Sequence, residues 1–151
     1  MVASIRPHDI DLVLLFHVLG AMVLVGGLIT ASGMALIGWS DSSDALRRMS
    51  YRVLLLVAFP GYVVMRIFAQ WVESKEHLDN LPDDPTWLGI GYMTADIGGL
   101  LLLIALIVGG IGARKARTGG GTSLLRVSSV IATLLVAVYV VAVWAMGGKP
   151  T

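Results

Sequence analysis

Three ionisable side chains, His17, Arg66 and Asp96, stand inside long apolar stretches of this chain. A charge in hydrocarbon costs about 3 kcal/mol or more, so such a residue is by default a candidate functional group with a partner. Arg66 and Asp96 have opposite signs and would cancel each other as a pair. His17 can hold a proton, a hydrogen bond or a metal. Tyr139, in a fourth apolar stretch, adds a hydroxyl. The bland alternative is that Arg66 reaches the interface alone, Tyr139 belongs to an aromatic belt, and His17 bonds a neighbouring carbonyl.

Haem and copper are the cofactor chemistries these residues could serve. His17 is the single histidine within an apolar stretch. A b-type haem needs two axial ligands, so its second would be Met65, Met93 or a copy of His17 from another protomer. Copper could be held by His17 and methionine, with His8 and His77 on the same side. Glu73 and His77 are spaced to share one helix face, which makes them a second candidate metal pair. The chain has no cysteine, which excludes disulfides, thiolate metal sites and cysteine nucleophiles. Neither H-E-x-x-H nor G-x-S-x-G occurs, and Gly148-Lys149 is followed by Pro150, so no phosphate-binding loop forms there. The protein is read as leaning away from enzymes.

The elements that position these groups are four apolar blocks, at about 12–39, 51–71, 87–113 and 124–146. Each exceeds the roughly 20 residues that cross about 30 Å of hydrocarbon as a helix. None carries the polar face that a soluble helix needs. Hydrophobic residues make up 56% of the chain and charged residues 14%, against about a quarter charged in soluble domains. The expected partner is the lipid bilayer. A net charge of +1 does not suit nucleic acid. The first block is flanked by Arg6, Asp9 and Asp11 and is too long for a cleaved signal peptide. No connection is long enough for a soluble domain.

Orientation follows from the basic residues. Arg47, Arg48, Arg52, Arg114, Lys115, Arg117 and Arg126 gather on one side, and Arg6, Lys75 and Lys149 on the other. This distribution places the seven in the cytoplasm and both termini outside, with an acidic external loop over 72–86. Trp39, Trp71, Trp87 and Trp144 fall near block ends, as interfacial indoles do. The run Gly119, Gly120, Gly121 reads as a flexible link.

With that orientation, His17 lies about 9 Å, Arg66 about 10 Å, Asp96 about 13 Å and Tyr139 about 12 Å below the outer surface. Four helices thus bring a polar group to one level. Small residues mark the expected seams: Gly27, Ala31 and Ala35 with Gly26, Ser32 and Gly33 in the first helix, and Ala95, Gly98, Gly99, Gly109 and Gly110 in the third. Pro60 should kink the second helix.

The stretch LLFHVLGAMVLVGGLITASGMAL, residues 14–36, resembles the first helix of a family of uncharacterised four-span bacterial integral membrane proteins. That family is distantly similar to the membrane part of copper-resistance D-type proteins. His17, Gly26 and Gly27 carry the motif. The basic first loop, the R-R-M-S-Y-R entry to the second helix and the glycine-rich third helix agree in layout. The resemblance implies a plasma-membrane four-helix bundle with a role in metal or haem handling, and His17 is the position carried over.

The expected fold is all-α, a transmembrane four-helix bundle of up-down topology. The first functional expectation is a non-enzymatic protein acting through helix packing, as a homodimer or within a larger membrane complex. The alternatives are a haem- or copper-binding protein centred on His17, in electron transfer or metal handling, and a proton-coupled carrier using Asp96 and Arg66.

Overall fold

Five helices account for almost all of the described chain, residues 8–40, 43–76 and 86–148 of a computed structural model. They are α1 (His8–Ser40), α2 (Asp44–Val53), α3 (Phe59–Glu76), α4 (Thr86–Lys115) and α5 (Thr122–Gly148). A π turn, Leu54–Ala58, joins α2 to α3 as one continuous rod. Four of the resulting rods are long and apolar enough to cross a membrane. At most 33% of the apolar stretch of any one of them is buried inside the protein. The remaining Leu, Ile and Val side chains therefore face outward, as they must where the solvent is hydrocarbon.

The second rod begins at Asp44, not near 51. Hydropathy finds where a helix enters hydrocarbon, whereas the helix itself starts at its cap. Here Ser43 accepts the Leu46 N–H at 3.5 Å, with Asp44 in the first turn. Arg47 is buried; it donates to Asp44 at 2.7 Å and to the Gly38 carbonyl at 2.9 Å. It thereby satisfies a carbonyl in the last turn of α1 that the helix leaves unpaired. Pro60 is accommodated by the π turn just before it. Phe59 N–H donates to the Leu54 carbonyl, one residue beyond the usual partner, and this wider turn makes room where the proline ring meets the preceding carbonyls.

The seam between α1 and α3 is backbone against backbone. A Cβ on Gly20 would lie 2.5 Å from the Met65 nitrogen, and one on Gly61 would lie 2.6 Å from the Leu24 nitrogen. Gly27 abuts Ala58 in the same way. Gly26 and Gly33, expected in this seam, have nothing within 4 Å of a Cβ position and point away from it. Gly20, unmarked by the sequence pattern, takes their place. The glycines of α4 do something different: they seat tyrosine rings. Gly98 underlies Tyr139, Gly99 underlies Tyr62, and Gly109 underlies Tyr51.

Between the rods, Leu24, Leu28, Leu54, Leu102, Ala132 and Leu135 fill the core. Buried hydroxyls cross the seams. Ser50 donates to the Ala31 carbonyl at 2.7 Å, and Ser128 to the Ala105 carbonyl at 2.8 Å. Such bonds hold helices where no hydrophobic force does. The glycine run after α4 is a tight turn rather than a flexible link. Gly119 and Gly121 have φ of 86° and 88°, a region L side chains rarely enter. Gly120 N–H closes on the Lys115 carbonyl at 3.0 Å, and Leu125 N–H on Gly121 at 3.2 Å.

Candidate functional site

The close Gly20–Met65 approach sets the first polar contact. It brings α1 near enough for His17 Nδ1 to meet the Met65 carbonyl at 3.0 Å. A carbonyl only accepts, so Nδ1 carries the hydrogen. In the neutral ring, Nε2 then keeps its lone pair for another partner. Metal-bound and catalytic imidazoles are oriented by the same kind of backbone bond.

Arg66 and Asp96 pair as the charges required, with Nη2 donating to Oδ1 at 2.5 Å. One residue earlier on α4, the Ala95 carbonyl accepts from the Tyr62 hydroxyl at 3.1 Å. These two contacts bridge α3 and α4. Asp96 is 61% exposed and Arg66 26% exposed, so the pair lies toward the lipid-facing surface with the cation tucked inward.

Tyr139 is 4% exposed, and its hydroxyl has no hydrogen-bond partner in the protein. The bare backbone of Gly98 leaves space for its ring. A buried hydroxyl without a partner costs about 1–3 kcal/mol. The group is therefore held at a penalty, packed against Gly98 and shielded from open space.

His17, Arg66 and Tyr139 line one cavity of about 690 Å³. Its walls are the start of α1, the end of α3, the start of α4 and the end of α5. The size suits a single organic ligand. Val18, Ala21, Ala142 and Val143 are among its apolar wall residues, with Met22, Met65 and Met146. Glu73 also reaches the lining. Asp96 does not line the cavity; it reaches it through Arg66.

Of the residues singled out in the sequence, His17, Arg66 and Tyr139 thus share one space, with Asp96 bonded behind them. Met65 joins them twice, through its carbonyl and as a lining residue. Met93 is exposed on the outer face of α4 and does not line the cavity. Met22, Met146 and Glu73 were missed as cavity residues; a helical-face analysis through Tyr139 would have raised Met146, seven residues on, but not Met22, which lies well round the helix from His17. His77 and the side chain of His8 lie outside the described residues, as does most of the acidic loop. Among the described residues, no cluster of three His, Cys, Asp or Glu forms a metal cage. Comparison of the chain with family models, curated proteins and solved structures finds no match.

Proposed function

We propose that this protein is a multi-pass plasma-membrane protein that binds a membrane-soluble ligand in the cavity between its four spans. One observation carries this reading: an apolar cavity of about 690 Å³, walled by four helices and lined by the His17 ring, itself fixed by the Met65 carbonyl. The small-residue faces that favoured a packing role are largely occupied within the chain itself, by Met65, Ala58, Tyr62 and Tyr139.

The bundle is up-down with both termini outside. Seven basic residues at one end against three at the other support this orientation. The cavity, walled by the first halves of α1 and α4 and the second halves of α3 and α5, supports the up-down arrangement. The cavity then lies in the outer leaflet half.

Filling the cavity tests the reading. Ala142 lines it and is small. Lipid extract added to the delipidated protein should raise the wild-type melting temperature. The gain corresponds to about 2.7 kcal/mol when the ligand is a hundredfold above its Kd. Ala142→Trp should melt at the same temperature with and without extract. An equal gain in both proteins would place any bound lipid elsewhere.

A metal or haem site is the second reading. The oriented His17 ring beside three methionines favours it, since thioether and imidazole donors suit cuprous copper, and a His–Met pair suits haem. A Soret band or stoichiometric copper lost in His17→Ala would establish it; a colourless, metal-free sample from metal-replete cells would remove it.

A further inference from the structure

Resting on the cavity as a ligand site, we propose that its occupant is a neutral lipid with a hydroxyl-bearing aromatic head, a prenylated hydroquinone or phenol. The hydrogen-bond inventory points there. With Nδ1–H committed to the Met65 carbonyl, His17 offers an acceptor. The Tyr139 hydroxyl, shielded against Gly98, stays out of the ligand's reach. A ligand hydroxyl satisfies the His17 acceptor, donating to the free imidazole nitrogen. A head with carbonyls alone would set its oxygen against the His17 lone pair.

Charge separates this class from common phospholipids. The Arg66 cation is already cancelled by Asp96, and Glu73 adds an anion to the lining. A phosphate or fatty-acid head would meet net negative charge without a free cation. Shape narrows it further. Met22, Met65 and Met146 line the cavity together with Tyr92, and thioethers favour the edges of flat aromatic rings. The tail has a route. Met22 is 65% exposed and Val143 58% exposed, yet both line the cavity. The wall therefore opens sideways between α1 and α5, onto the surface that the bilayer covers. No electron transfer is part of the proposal; it concerns which oxidation state the site holds.

The test is a titration of the protein, in phosphatidylcholine nanodiscs, with decylubiquinol kept reduced and separately with decylubiquinone, followed by tryptophan fluorescence. The quinol should bind about tenfold or more tighter than the quinone, the worth of one well-placed hydrogen bond. His17→Ala should erase that preference. Tyr139→Phe, which keeps the ring on Gly98 and removes a hydroxyl the ligand does not touch, should leave quinol binding unchanged. Equal affinity for the two forms, or tighter quinone binding, would overturn the proposal. Displacement of the quinol by phosphatidylglycerol or by a sterol would overturn the head-group assignment while leaving the cavity a ligand site. Binding unaffected by Ala142→Trp would bring down the site itself.

Discussion

Tyr139 carries a stability cost. Tyr139→Phe removes a hydroxyl that is buried and unsatisfied, so the ligand-free protein should gain about 1–2 kcal/mol in detergent unfolding. A loss of stability would mean that the hydroxyl has a partner in the folded protein. Arg66 behaves in the opposite way. Arg66→Ala strands the Asp96 carboxylate at membrane depth and should cost about 3 kcal/mol. Replacing both residues by leucine should cost much less, because neither charge remains. Equal losses would show that the 2.5 Å contact is not the source of the effect. The sequence makes this pair legible, because two opposite charges in hydrocarbon have few alternatives to each other. It does not show the His17–Met65 bond, since a backbone carbonyl carries no side-chain signature, nor that the Tyr139 hydroxyl is left alone.

At the scale of elements, the contact between α1 and α3 decides whether His17 is positioned at all. Gly20→Ala would place a methyl against the Met65 backbone. It should cost about 1–3 kcal/mol by overpacking and weaken ligand binding by releasing His17. Gly26→Ala, with open space at its Cβ position, should change stability by less than about 0.5 kcal/mol. Thermal unfolding of the two variants side by side checks the contrast; the reverse order would contradict the seam. Four-residue spacing of small residues correctly marked α1 as a close-packing helix. It picked the stripe of Gly27, Ala31 and Ala35, which is buried, but not which flanking glycines join it: Gly20 does and Gly26 and Gly33 do not, and that depends on where Gly61 and Ala58 come to lie. The π turn was illegible for a related reason. Pro60 announces that the helix must adjust, but not that the turn before it widens to do so. The glycine run at 119–121 shows that composition alone does not separate a loose linker from a turn built on two positive φ angles.

For the whole molecule, four membrane-length helices were readable because hydrocarbon leaves a chain few choices: long apolar runs must satisfy their backbones within themselves. The cavity was not readable, since it depends on how far the helix ends part. Its polar level was, since it follows from counting turns inward from the charged ends. Orientation can be tested on a chain that has no native cysteine. Ser74→Cys should react with a membrane-impermeant maleimide added to intact cells, and Thr118→Cys only after lysis; the converse pattern would invert the bundle and move the cavity to the inner leaflet. The central claim, that the cavity holds a ligand from the membrane, is tested most directly by native mass spectrometry of the protein gently extracted from its own membranes. A single adduct of constant mass on the wild type, lost in Ala142→Trp, is the expected result. A wild-type spectrum with no adduct, or one carrying only a heterogeneous ladder of phospholipids shared equally by the variants, would contradict it.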